Sequence, residues 1–249
     1  MAGHSKFKNI MHRKGAQDKK RAKLFSRLIR EISVSVKLGS PDPDSNPRLR
    51  TAINNALSSN MTKDTIDKAI KKQSSDDGKE SIEEIIYEGF GPGGVSIMLE
   101  VMTDNKNRSA SEVRSTFSKY NGNLGVSGCV KHNFKKIGYI SYEKKICSFE
   151  NFFDLCAGLN VIDVIENENS FDLETNQESY NIVLETLEKK FSIPKFSQIE
   201  WKPLNFTEIE NEDDAKTLLK LLEKLEDLDD VQNVASNFNI NEALMEKVI

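Results

Sequence analysis

Apolar residues recur at helical spacing near the start of the chain and at strand spacing further on, and the change of period divides it. From about Ala22, the positions Phe25, Leu28, Ile29, Ile32 and Val36 form one stripe, which predicts a helix ending at Gly39. Ser40-Pro41-Asp42-Pro43-Asp44-Ser45 reads as a connector. Asn46 then caps a second helix that opens at Pro47, where a missing N–H costs nothing, and buries Leu49, Ile53 and Leu57. Thr62 caps a third, with Ile66, Ala69 and Ile70 inward. Three short helices without strands predict a small bundle over residues 21–73. The Ser-, Asp- and Gly-rich stretch from Gln73 to Lys79 is the expected domain boundary.

Beyond it, Ile82–Gly89 and Val95–Met102 read as strands joined by Gly91-Pro92-Gly93-Gly94. A helix from about Asn107 to Tyr120 places Ala110, Val113 and Phe117 on one face, and Gly122 to Asn133 is a Gly-rich return with strand-like residues. Residues 137–203 carry their own series: strand Ile137–Tyr142, helix Phe149–Leu159, strands Val161–Glu166 and Ser170–Thr175, helix Glu178–Phe191, strand Gln198–Pro203. That β-α-β-β-α-β order is the ferredoxin-like arrangement. The tail adds a helix near Asp213–Leu225 and a strand Val231–Phe238. Residues 82–133 hold only half of a split βαβ unit, and the tail holds the missing helix and strand.

The fold expected is therefore α+β. A basic arm and N-terminal three-helix bundle (1–78) precede two α/β sandwich domains of ferredoxin-like type, one (136–203) inserted in the other (79–135 with 204–249).

Composition changes little in this picture. The chain has 249 residues, 37% of them apolar and 30% charged, and no apolar run approaches the roughly 20 residues of a membrane span. The N-terminus lacks a secretory apolar core; it is basic and poor in acids, as an organelle transit peptide can be, with the cytoplasm as the default. Cys129, Cys147 and Cys156 are odd in number and widely spaced, which fits a reducing compartment better than a disulfide framework or a zinc site.

Charge changes it more. The first thirty residues hold ten Lys or Arg and one acid, Asp18, a net +9, whereas residues 31–249 hold 25 bases and 38 acids, a net −13. A basic end on an acidic body points to a polyanion held at that end, nucleic acid above all. Within residues 1–20, read as a mobile arm that orders on a partner, Lys6, Lys8, Arg13, Lys14 and Lys19 supply charge, and Asn9 and His12 could reach bases or sugars. On the first helix Lys20, Lys23, Arg27 and Arg30 are 3, 4 and 3 apart, a row opposite the apolar stripe and near phosphate spacing; a solvated face would look the same. The only aromatic in the arm is Phe7, so phosphate contacts outweigh base stacking.

Gly91-Pro92-Gly93-Gly94 lacks the Lys-Ser/Thr ending of a phosphate loop and lies between strands, so a hairpin turn is expected. Thr103, Asp104 and Asn105 are capping types at a helix start that also carries Lys106 and Arg108. An anion site at Asn105, Lys106 and Arg108 and plain capping are both open there. No catalytic set emerges: His132 has no paired nucleophile, Asp213 and Asp214 sit where a helix start favours negative charge, and His4 and His12 have no partner ligand, so no metal or cofactor is expected. Neither a helix-turn-helix signature nor dimerisation heptads are visible, which makes a monomer the expectation.

Met1-Ala2-Gly3-His4-Ser5-Lys6, His12-Arg13-Lys14, Asp18 with Lys20-Arg21, Asp42-Pro43, and Asn46-Pro47-Arg48-Leu49-Arg50 resemble the YebC family. So do Asn60-Met61, Tyr87-Glu88-Gly89-Phe90-Gly91-Pro92-Gly93-Gly94, and Thr103-Asp104-Asn105-Lys106-Asn107-Arg108. The likeness runs in order over about the first 135 residues, with Phe7, Ser40 and Cys129 standing where the family usually has Trp, Gly and Ser. It implies a three-domain protein of the bacterial cytoplasm, a regulator without catalysis. Members are described as probable DNA-binding transcriptional regulators, while mitochondrial relatives look like translational activators and some bacterial ones are linked to stalled ribosomes. The resemblance leaves the polyanion open between DNA and ribosomal RNA, with the ribosome as a possible partner.

Overall fold

A computed structural model of the chain describes residues 17–75 and 82–248, with side chains from Arg21 onward. Its contacts divide it into two compact units, one of Met1–Lys23, Ser81–Lys135 and Trp201–Ile249, the other of Leu24–Glu80 and Lys136–Glu200.

In the second unit the helical bundle comes first. Helix α1 (Gln17–Leu38) starts five residues before the apolar stripe predicts. Gln17 to Lys23 contains no Gly, Pro or β-branched residue, so a helix nucleated by the packed stripe propagates back through it. Helix α2 (Pro47–Ser58) is capped by Asn46, whose Oδ1 accepts from the Leu49 N–H at 3.1 Å. The same side chain donates to the Ser35 and Ser40 carbonyls, both at 2.8 Å, so one cap also ties the connector to the end of α1. Thr62 caps α3 (Lys63–Ser74). A four-residue turn with Asn60 at φ 64° joins α2 to α3, a connection as short as that of a helix-turn-helix, although the sequence carries no signature of one. Ile32, Leu49 and Ala56 are wholly buried at the centre of the bundle.

The rest of this unit is a four-stranded sheet, β4 (Phe134–Glu143), β5 (Val161–Glu166), β6 (Ser170–Asn176) and β7 (Phe196–Pro203), in the order β5-β6-β4-β7. With α5 (Phe149–Ala157) and α6 (Tyr180–Phe191) as its crossovers, this is the ferredoxin-like split βαβ. Ile140, Tyr142, Phe171 and Leu173 on one sheet face pack under Phe152, Cys156, Val183 and Leu187 from the helices. Helix α2 meets this domain through polar groups. Asn55 exchanges two hydrogen bonds with the Ser197 backbone (2.6 and 3.1 Å), Arg50 pairs with Glu185 at 3.0 Å, and Asn54 donates to Glu188 at 2.8 Å.

In the first unit β1 (Glu83–Phe90) and β2 (Ser96–Thr103) form an antiparallel hairpin in register from Glu83↔Thr103 to Phe90↔Ser96. Gly93, at φ 69°, turns it where any Cβ would collide with Ile209, so Gly91-Pro92-Gly93-Gly94 is a turn. Two-residue β3 (Asn123–Leu124) flanks β1, and β9 (Val231–Ser236) returns from the tail to flank β2, giving the order β3-β1-β2-β9. Helices α4 (Lys106–Lys119) and α7 (Glu212–Asp227) supply Val113, Phe117, Leu218, Leu221, Leu222 and Leu225 to the core over Ile97, Leu99 and Val101.

The strand predicted over Val231–Phe238 is two. Asn237 takes the Ser96 N–H on its side chain at 2.8 Å, and the chain kinks there into β10 (Phe238–Ile240), which pairs in parallel with β8 (Thr207–Ile209). Helix α8 (Glu242–Val248) follows. Strands of three residues, as β8 and β10 are, carry too little periodicity to be read in advance.

Candidate nucleic-acid interface

Of the predicted cationic residues, Lys6, Lys8, Asn9, His12, Arg13 and Lys14 lie outside the described residues. Lys19 and Lys20 fall in the first turn of α1, their side chains outside the description. The remainder of the row is visible and differs from the expectation of a face turned to solvent. Lys23, Arg27 and Arg30 are half-buried, whereas Arg21, Ala22, Leu24 and Ser26 are exposed. Helical periodicity locates the face that fills the bundle core but says nothing of a second covered face. Lys23 lies 3.8 Å from Asp227, a pair with one partner more than half exposed; such pairs contribute about 0–1 kcal/mol.

The start of α4, where an anion site and plain capping were both expected, carries a cap and several ion pairs. Asn105 accepts the Arg108 N–H at 3.1 Å. Lys106 pairs with Glu83 at 2.5 Å, and Arg108 bonds Asp104 at 2.6 Å and Asp230 at 2.9 Å. Asp230 is 3% exposed and also accepts from the hydroxyls of Ser109 (2.6 Å) and Thr103 (2.9 Å). These bonds to Asp230 and Asp104 hold the Arg108 guanidinium above even its ordinary value. Asn105 thus caps α4, while Lys106 and Arg108 are engaged in ion pairs. Sequence reasoning missed Asp230 because it lies 122 residues from Arg108.

A second missed residue is Glu88. It is 3% exposed, and its carboxylate receives the N–H groups of Gly128 (2.7 Å), Val130 (2.8 Å) and Lys131 (2.9 Å). Burial alone would raise its pKa; those three donors and the Lys131 charge outweigh burial and bring it below the usual carboxylate value. The Gly-rich return between β3 and β4 is therefore a loop wrapped on one buried acid, with little strand of its own. The signal was present as the acid in Tyr87-Glu88-Gly89, on the strand face opposite the core.

Among the described residues no three His, Cys, Asp or Glu side chains gather to hold a metal, and no helix is long and apolar enough to cross a membrane.

Comparison with known proteins places these features in a wider set. Residues 5–76 match the model of the TACO1/YebC protein N-terminal domain, and residues 82–238 that of the TACO1/YebC second and third domain. A "probable transcriptional regulatory protein" of Rickettsia bellii is 48% identical over 246 residues, covering 99% of this chain and 97% of that one. One of the same description from Rickettsia canadensis is 48% identical over 243 residues, covering 97% and 96%. The crystal structure of a conserved hypothetical protein from Aquifex aeolicus superposes with a TM-score of 0.83 at 46% identity, over 90% of this chain and 93% of that one.

Proposed function

The chain belongs to the TACO1/YebC family, and from that premise we propose that it is a non-enzymatic, nucleic-acid-binding regulator of gene expression, a DNA-binding transcriptional regulator of the cytoplasm acting as a monomer. The observation that carries this reading is the separation of charge, +9 in residues 1–30 against −13 in the remainder. Lys6, Lys8, Arg13, Lys14, Lys19, Lys20, Lys23, Arg27 and Arg30 neutralise phosphates, Asn9 and His12 approach bases or sugars, and the acidic remainder repels the same polyanion and so limits the poses available. The names of the Rickettsia relatives agree with a role in transcription.

The test is affinity for duplex DNA against salt. With about 6–8 of these cations on phosphates at one time, the log–log slope is about −5 to −7. A flat salt response removes the reading.

A second reading is favoured by one observation. The exposed side of α3 mixes Lys63, Lys68, Lys71 and Lys72 with Asp64 and Asp67, which is a poor surface for reading a major groove. A ribosome-associated translation factor, or translational activator, that holds ribosomal RNA through the same basic arm needs no such helix. Cosedimentation with ribosomes against capture on promoter DNA at matched salt separates the two.

A further inference from the structure

We infer that the chain has a second nucleic-acid contact, formed by the loop that Glu88 holds, and that Lys131, His132 and Lys135 meet the backbone of duplex DNA there. The inference rests on the DNA reading above and extends it to a surface outside the basic arm.

The first observation is in the charge pattern. Residues 31–249 contain 38 acids, about one in six, yet residues 113–142 contain no Asp or Glu at all while carrying Arg114, Lys119, Lys131, Lys135 and Lys136. A thirty-residue gap in an acidic body leaves the loop without an Asp or Glu of its own beside Lys131 and Lys135, a weaker form of the charge bias that marks the N-terminus.

The second observation is that the loop is built and held. Val130 is wholly buried and Phe134 nearly so, packed with Met98, Trp201 and Ala235. The Asn133 carbonyl accepts the Leu204 N–H at 2.8 Å, and its side chain donates to Ser96 at 2.9 Å. Glu88 spends its charge on three backbone N–H groups from below. With its apolar side chains anchored inward, the loop leaves Lys131 and His132 exposed, and Lys135, the second residue of β4, is exposed as well. A cationic surface fixed in advance loses little entropy when it engages a partner.

The third observation selects the occupant. Single-stranded nucleic acid is held largely by aromatic stacking, but Phe134, the loop's only Phe, Tyr or Trp, is buried. The exposed apolar group there is Val126, at 78%. Cations without an aromatic platform suit a backbone whose bases are already paired, which is duplex DNA.

The experiment uses the full chain and a fluorescein-labelled 20-base-pair DNA, with anisotropy read from 50 to 300 mM NaCl. Four proteins are compared: wild type, a loop variant with Lys131→Glu and Lys135→Glu, an arm variant with Lys6→Glu, Lys8→Glu and Lys14→Glu, and a control with Lys220→Glu and Lys247→Glu. The control changes net charge equally at exposed sites elsewhere in the same unit.

Loss of two phosphate contacts makes the salt slope shallower by about 1.8 and weakens binding about 30-fold near 0.15 M salt. A loop variant within threefold of wild type, or no weaker than the control, overturns the inference while the arm variant's loss leaves the DNA reading standing. Wild type that shows no salt-dependent binding overturns both. An effect confined to an RNA hairpin run in parallel overturns the assignment to DNA. If charge reversal lowers the unfolding temperature, Lys131→Gln with Lys135→Gln gives the same comparison; a change below threefold again overturns it.

Discussion

Replacing Glu88 by glutamine exchanges one carboxylate oxygen for an NH2 group at almost constant size. In the native loop one oxygen takes the Gly128 N–H and the other takes those of Val130 and Lys131, all within 2.9 Å. A glutamine has a single acceptor oxygen, so whichever way it is turned, its NH2 faces one or two donors that lose their partner. Each buried group left unsatisfied costs about 1–3 kcal/mol, and the loss of charge weakens the bonds that remain. The expected destabilisation is about 2–4 kcal/mol at pH 7, or roughly 4–16 °C in midpoint at about 2–4 °C per kcal/mol for a chain of this size.

The direction of the pKa sets the pH dependence. Glu88 is held below its ordinary value of 4.5 in the folded state, so its contribution is complete above that value and is lost as pH falls through the folded pKa. The gap between wild type and Glu88→Gln should therefore be widest at neutral pH and close in acid. Thermal unfolding at pH 7 and pH 3.5 measures the gap, and amide exchange at Gly128, Val130 and Lys131 localises it. A variant within 0.5 kcal/mol of wild type at pH 7, or a gap that persists unchanged in acid, refutes the reasoning.

Three further changes probe other parts of the fold. Asp230→Asn leaves Arg108 without its buried partner and mismatches the Ser109 and Thr103 hydroxyls; urea unfolding should show a loss of about 2–4 kcal/mol, and less than 1 kcal/mol contradicts a network role. Asn46→Ala removes the cap of α2 together with the two bonds to Ser35 and Ser40, which should cost about 2–3 kcal/mol by chemical denaturation, against about 1 for a cap alone. Burial raises the Glu188 pKa against the opposing Asn54 bond and Arg50 charge, so its ionisation disfavours the fold as pH rises through that value. Glu188→Gln should then be no less stable than wild type at pH 7, and a clear loss there shows the charge to be needed.

Where local chemistry decided the structure, the sequence was informative. Asn46 and Thr62 announce the helices they cap because an Asn or Thr oxygen satisfies backbone donors three residues away. The β-α-β-β-α-β order of the ferredoxin-like domain is legible because each element is long enough to show its period. Partners distant in sequence were not legible. Glu88 meets a loop some forty residues on, and nothing in either segment announces the other. The same gap affects the candidate interface. Spacing alone put Lys23, Arg27 and Arg30 opposite the core, but their partial burial depends on what covers a second face of α1. At Asn105, Lys106 and Arg108 the sequence offered a cap or an anion site, and gave no sign of Asp230 and Glu83 as the ion-pair partners.

The central claim is that cations at the beginning of the chain hold the nucleic acid. Its most direct test is the binding of duplex DNA by the full-length protein in which Lys6, Lys8, Arg13, Lys14, Lys19 and Lys20 are reversed to Glu, measured over a salt series beside wild type. The account predicts affinity lower by more than about 100-fold at 0.15 M salt and a slope shallower by about five. Unchanged affinity and slope contradict it.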